Sequence, residues 1–150
     1  MGLEEKIYND FLKALKEKDK IKKELLSYLR AELKNRAKLL KKELLTDAEV
    51  IEILRQQKKK MEEAARLVAS SGKEAAQKEI ATELSIISSY LPALASREEV
   101  QKVVEEVIAA GGFSSMKDMG AVMKASLAKL GVRADKASLS KIVKEKLSAS

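Results

Sequence analysis

Apolar residues recur along most of the chain at intervals of three and four, which is the spacing of amphipathic α-helices. The first stripe predicts a helix from about Leu3 to Lys16. A polar stretch follows, and Asp19 is a suitable N-cap for a second helix. The apolar spacing extends that second helix as far as Leu44.

A capping box marks the start of the third helix. Thr46 and Glu49 have the spacing at which the hydroxyl accepts from the N3 amide and the carboxylate reaches back to the cap amide. Gly72 suits the left-handed conformation that ends many helices, so the third helix should stop there. A fourth helix is then predicted from about Lys73 to Tyr90.

The chain's one proline, Pro92, divides the pattern. Proline clashes with the preceding turn and disfavours helical geometry at the residue before it. We therefore expect two domains, a longer N-terminal helical domain over 1–92 and a smaller C-terminal domain over 93–150.

Three more helices are expected after the proline. A second capping box, Ser96 with Glu99, starts the first of them, Gly131 ends the second, and Asp135 caps the last. The sequence thus predicts an all-α protein, with a four-helix N-terminal segment followed by a smaller three-helix segment. Its few glycines and aromatic residues do not suit a strand-rich fold.

Composition excludes much common enzymology. The chain has no His and no Cys, which excludes Ser-His-Asp and Cys-His nucleophilic sites, ordinary zinc sites and disulfides. Three pairs of carboxylates remain as possible acid–base groups, Glu62–Glu63, Glu98–Glu99 and Glu105–Glu106. All lie on polar faces of predicted helices, where a solvated surface is the simpler interpretation. We expect no catalytic residue, metal or cofactor.

Charge is concentrated at both ends of the chain. The net charge of +7 divides into +5 over 1–45, −1 over 46–95 and +3 over 96–150, as expected if one or two surfaces face an anion. The lysine-rich N-terminal helices allow either phosphate contacts or a solvated face with neighbouring glutamates. No apolar run is long enough to span a membrane and the N-terminus lacks signal-peptide features, so we expect a cytoplasmic location.

The C-terminal segment offers two interpretations. Gly120 inside a helix costs about 1 kcal/mol relative to Ala, which suggests close approach of another helix or of a partner. One interpretation is a three-helix core in which methionines fill gaps. The other is a recognition surface made by six basic residues: Lys117, Lys124, Lys129, Arg133, Lys136 and Lys141.

A series of short motifs resembles the GatB/YqeY family, specifically its stand-alone YqeY-like members. The series runs over essentially the whole chain and includes Leu29-Arg30, Leu45-Thr46-Asp47, Tyr90-Leu91-Pro92, Asp118-Met119-Gly120 and Arg133-Ala134-Asp135. Each motif is weak alone, and their order and spacing make the resemblance specific. Many relatives differ at three C-terminal positions, which here are Ala121, Lys124 and Lys136.

The resemblance implies a two-part helical protein. Its C-terminal part is similar to the tail domain of the B subunit of the glutamine-dependent aspartyl/glutamyl-tRNA amidotransferase, a tail that helps to hold tRNA. The family is often labelled with carbon–nitrogen ligase activity that uses glutamine as amido donor. The resemblance implies a non-catalytic tRNA-binding or amidotransferase-accessory protein. Its expected partners are tRNA and components of the amidotransferase or of an aminoacyl-tRNA synthetase.

Two other hypotheses stay open. One is a helical protein–protein interaction module without nucleic-acid binding, in which an apolar groove near Gly120 and Met123 receives a partner helix. The other is a free-standing amidotransferase, for which the sequence shows no nucleophile–base pair.

Overall fold

A computed structural model describes residues 2–148 of the protein. Over that range the chain forms seven α-helices and two short 3-10 turns and contains no strand, which confirms the all-α prediction. Every helix in the described range is too short or too polar to cross a bilayer. Contacts within the chain divide it into an N-terminal unit that ends at Leu91 and a C-terminal unit that begins at Pro92. Independent folding of two domains, 1–92 and 93–150, stays a prediction.

The N-terminal unit contains four helices: α1 (Leu3–Glu17), α2 (Lys20–Leu39), α3 (Asp47–Ala69) and α4 (Glu74–Ser89). α1 packs along α2 and α3 packs along α4, while α2 also contacts α3 and α4. Short connections allow this antiparallel pairing. The buried core consists of Ile7, Leu25, Leu26, Leu29, Leu33, Ala37, Leu45, Val50, Ile53, Leu54, Ile87 and Tyr90.

The second helix ends at Leu39, so its predicted extension to Leu44 is wrong. The backbone turns at Lys41, which has a φ of 56°. The Lys42 amide then donates back to the Ala37 carbonyl at 2.9 Å. This is the Schellman arrangement that satisfies the last carbonyls of a helix. It occurs here without the glycine that usually signals it.

The predicted capping box at the start of α3 is confirmed. Glu49 N donates to Thr46 Oγ1 at 3.2 Å, and Thr46 N donates to Glu49 Oε1 at 2.9 Å. The neighbouring Asp47 also provides an acceptor for the first amide of α1, because its Oδ1 accepts from Leu3 N at 2.8 Å. One short segment therefore caps α3 and fixes the start of α1.

The C-terminal unit contains α5 (Arg97–Gly111), α6 (Met119–Leu130) and α7 (Lys136–Ser148), with 3-10 turns at Met116–Asp118 and Gly131–Arg133. Each of its three helices contacts the other two. Their buried residues form one core, made of Val100, Val104, Val107, Val122, Leu130, Ala134, Leu139, Ile142, Val143 and Leu147.

The start of α5 differs in part from the prediction. Ser96 Oγ accepts from Glu99 N at 3.1 Å, which confirms the cap. The Glu99 carboxylate, however, accepts from Arg133 Nη2 at 2.9 Å, where the sequence pattern predicted a bond back to the cap amide. An interaction between distant parts of the chain thus replaces half of a local one.

Candidate nucleic-acid interface

All six basic residues predicted for the C-terminal unit are exposed, but they do not form one patch. Two of them face carboxylates of α5. Lys129 Nζ lies 3.9 Å from Glu106 Oε2, and Arg133 Nη2 lies 2.9 Å from Glu99 Oε2. Each pair places a carboxylate beside a cation that a nucleic acid would otherwise meet alone, and together they join α5 to the C-terminal end of α6 and to the 3-10 turn that follows it.

Lys117 and Lys124 are arranged differently. Neither ammonium group has an ion-pair partner within residues 2–148. Lys117 lies in the 3-10 turn that precedes α6, Lys124 lies seven residues further on in α6 itself, and both side chains are exposed. Val122 is buried on the opposite side of α6. The two lysines therefore face away from the core.

The surface between these lysines carries only small side chains. If a Cβ atom were added at Gly120, no heavy atom would lie within 4 Å of it. Ala121 and Ala128 are also exposed on this side. No other helix of the described structure comes close to Gly120, so that half of the prediction is wrong, and close approach of a partner stays a prediction. We call Lys117, Gly120, Ala121, Lys124 and Ala128 the α6 surface.

The remaining two candidates lie on α7. Lys136 is its first residue and has a partner within the chain. Lys141 lines a groove of about 310 Å³, next to the pair that Arg97 Nη2 and Glu145 Oε2 form at 3.3 Å. The structure thus separates Lys141 from the α6 surface by placing it on another helix.

The carboxylate pairs considered from the sequence are all exposed. Glu99, Glu105 and Glu106 form ion pairs with basic residues of the same unit, which fits the interpretation as solvated helix surface. Sequence reasoning missed Glu83 on α4, whose pKa is raised by burial and by the negative charges of Glu79 and Glu24. No three acidic side chains within the described range converge in a way suited to a metal ion.

The apolar groove near Gly120 and Met123, expected under the interaction hypothesis, stays a prediction. Met123 packs against the core of the C-terminal unit, and Gly120 faces open space. Sequence reasoning missed a groove in the N-terminal unit, where Arg30 stacks on aromatic rings.

Comparison with known proteins places the chain in a family. No curated protein matches the sequence. A family model described as Yqey-like protein matches residues 4–147, which include all seven helices except the first residue of α1 and the last residue of α7. The resemblance carried by the sequence motifs is thereby confirmed at the level of this family. The chain belongs to the Yqey-like protein family.

Proposed function

We propose that this protein is a non-catalytic, cytoplasmic tRNA-binding protein that assists a tRNA amidotransferase, and that its α6 surface contacts the tRNA backbone. The observation that carries the proposal is the placement of Lys117 and Lys124 on either side of the open position at Gly120. Membership of the Yqey-like family supports it, because the C-terminal part of such proteins resembles the tRNA-holding tail of the amidotransferase B subunit.

The chemistry of the α6 surface suits a phosphate backbone. Two ammonium groups supply positive charge, and the small side chains between them allow a sugar–phosphate strand to come close to the helix. The C-terminal unit has one aromatic residue, Phe113, which packs against its core and offers no platform for base stacking. We therefore expect contacts to phosphate and little reading of sequence.

The residue types argue against an autonomous catalytic role. An amidotransferase needs an activated nucleophile to release ammonia from glutamine, and the chain has neither Cys nor a His to serve as base. The hydroxyl of Ser126 has no hydrogen-bond partner among the described residues of the C-terminal unit, but it is fully buried in the core and cannot meet a substrate. The carbon–nitrogen ligase label of the family would then describe the larger complex that this protein assists.

A titration with bulk tRNA at several salt concentrations tests the proposal. Fluorescence anisotropy should show saturable binding at low salt, with an affinity that falls steeply as salt rises. Lys117→Glu and Lys124→Glu should each weaken binding about tenfold and reduce the salt dependence by roughly one phosphate contact. Lys102→Glu on α5 is the matched control, since Lys102 is exposed and the change in net charge is the same.

Three results would count against the proposal. Absence of saturable binding at low salt would exclude a tRNA-binding role. Equal weakening by Lys102→Glu would show that only net charge matters and that the α6 surface is not the site. A stronger effect of reversing N-terminal lysines, such as Lys16 and Lys20, would move the site to the N-terminal unit.

A further inference from the structure

An apolar stripe of α1 is left outside the core of the N-terminal unit. Ile7 and Ala14 are buried against the other helices. Tyr8, Leu12 and Leu15, at the spacing of one helix face, are 42%, 44% and 45% exposed. Large apolar side chains exposed singly are common, but three in a row on one helix face form a patch. The stripe extends over roughly 10 Å of helix axis.

A concave groove continues this stripe at the start of α1. It has a volume of about 380 Å³, and the buried Leu33 and Leu45 form its apolar floor. Tyr8 and Leu44 line it as well, and Leu44 is 74% exposed. The Leu45 amide donates to Glu4 Oε2 at 3.1 Å, which holds the loop that carries both leucines against α1. This hydrogen bond therefore fixes the position of the loop that forms one side of the groove.

Two cations of α2 border the apolar residues. The Arg30 guanidinium lies 4.3 Å from the centre of the Tyr8 ring and 5.0 Å from that of Phe11. Stacking fixes the plane of the guanidinium while its N–H groups keep their capacity to donate. Lys34 is exposed one turn further along and lines the groove. Neither cation has an ion-pair partner in the part of the chain that the structure describes, although Glu4 and Glu5 also line the groove.

We propose that this surface binds an amphipathic helix of a partner protein, whose apolar side is flanked by carboxylates. We call this surface, formed by α1, α2 and the loop after α2, the hairpin surface. It consists of Tyr8, Leu12, Leu15, Arg30, Lys34 and Leu44. An amphipathic helix presents apolar side chains at i, i+4 and i+7. Side chains at this spacing can pack along an apolar stripe of about 10 Å, and one large side chain can enter the groove at its end. The planar Arg30 fork suits a carboxylate at the edge of that helix.

The same features argue against other occupants. A phosphate backbone gains nothing from three exposed apolar side chains, and a concave groove beside a raised stripe does not match a flat lipid surface. The hairpin surface lies in the N-terminal unit, so this inference does not depend on tRNA binding by the α6 surface.

Site-specific photocrosslinking tests the proposal in cells that produce the full chain from its own gene. A photoreactive amino acid replaces Leu12 in one variant and Leu67 in a control variant. Leu67 is 79% exposed on α3 and lies outside the hairpin surface. The crosslinked segments are then sequenced. We expect the Leu12 probe to give a protein adduct whose crosslinked segment has apolar residues at helical spacing with flanking Asp or Glu.

A binding measurement with that segment completes the test. The segment is synthesised as a peptide and titrated with the purified full chain. Leu12→Asp and Arg30→Glu should each weaken binding at least tenfold, and Leu67→Asp should leave it unchanged. Circular dichroism verifies that each variant keeps its helical content, and the Leu12→Asn variant serves where the aspartate fails to fold.

The proposal is overturned by any of four results. These are adducts to RNA or lipid at Leu12, adducts no stronger than those of the Leu67 control, a crosslinked segment without acidic amphipathic character, and equal loss of peptide binding in the Leu67→Asp variant. Absence of saturable tRNA binding by the same full chain at low salt would refute the proposed function and leave this inference standing.

Discussion

The Tyr90 hydroxyl donates a hydrogen bond to Asp10 Oδ2 across 2.5 Å, which joins the end of α4 to the middle of α1. The tyrosine ring is buried in the core of the N-terminal unit. Burial raises the pKa of Tyr90 above its ordinary value of 10.0, and the hydrogen bond and negative charge of Asp10 raise it further. The hydroxyl therefore remains protonated and able to donate at neutral pH.

Removing this hydroxyl should destabilise the N-terminal unit. Tyr90→Phe keeps the ring and loses a hydrogen bond to a charged acceptor, so the free energy of unfolding should fall by about 1.5–2 kcal/mol. Urea unfolding followed by circular dichroism measures the change. Tyr28→Phe is the control, because Tyr28 is half exposed on α2 and its change should stay within about 0.5 kcal/mol. Equal losses in the two variants would show that the Asp10 bond contributes nothing.

The ion pair between Lys42 and Glu49 predicts part of the response to acid. Lys42 Nζ lies 2.6 Å from Glu49 Oε1, and this bond, followed by the bond from the Thr46 amide, lowers the pKa of Glu49 from 4.5 to about 2. A carboxylate whose folded pKa is depressed adds stability above the ordinary value, here pH 4.5, and that stability is lost as the pH falls towards 2.

Glu49→Gln should therefore flatten the acid dependence of stability between pH 4.5 and 2. The variant starts from a lower stability at neutral pH, because it has lost the ion pair, and then loses less on acidification. Urea unfolding at a series of pH values gives both quantities. Glu62→Gln, an exposed change on the same helix, should keep the slope of the parent protein. An unchanged slope in Glu49→Gln would contradict the assignment.

Most helix boundaries follow from local signals, as the caps at Asp19, Thr46 and Ser96 show. The end of α2 does not, because Leu40, Lys41 and Lys42 all favour continued helix and no glycine or proline stands between them and the cap of α3 at Thr46. At this position the packing of the loop determines where the helix ends. Leu45 is buried in the core and its amide bonds to Glu4, so the chain must leave the helix before it reaches that position.

Lys41→Gly should stabilise the N-terminal unit, since Lys41 holds a φ of 56° at which a Cβ is unfavourable. We expect a gain of about 0.5–1 kcal/mol in the free energy of unfolding, after allowance for the greater freedom of glycine in the unfolded chain. Lys38→Gly, within the last turn of α2, provides the opposite case and should cost up to about 1 kcal/mol. Destabilisation by Lys41→Gly would show that the lysine side chain matters more than its backbone conformation.

The candidate site shows a similar division between local and distant information. Residue types alone identified six basic side chains, among them Lys117 and Lys124 on either side of Gly120 in the chain. The sequence could not reveal that Arg133 pairs with Glu99, 34 residues away, because such a pair depends on how α5 packs in the C-terminal unit. The hairpin surface was missed for the same reason, since Arg30 meets Tyr8 only after α1 and α2 pair.

Gly120→Ala separates the stability of the C-terminal unit from its proposed binding. Gly120 lies within α6, and an added Cβ meets nothing within 4 Å. The free energy of unfolding should therefore rise by about 0.4–1 kcal/mol. The same methyl group stands between Lys117 and Lys124, so a strand that approaches the helix closely should bind less tightly.

Gly111→Ala is the contrasting variant, because its Cβ would collide with the Phe113 ring and should destabilise the unit. Thermal unfolding and tRNA titration give the stability and the tRNA affinity of each variant. Higher stability with weaker tRNA binding in Gly120→Ala is the expected pattern, because the added methyl group favours the helix and obstructs a strand that comes close to it. Higher stability with unchanged tRNA affinity would show that the RNA does not approach α6 at Gly120, and would leave the two lysines as separate surface charges.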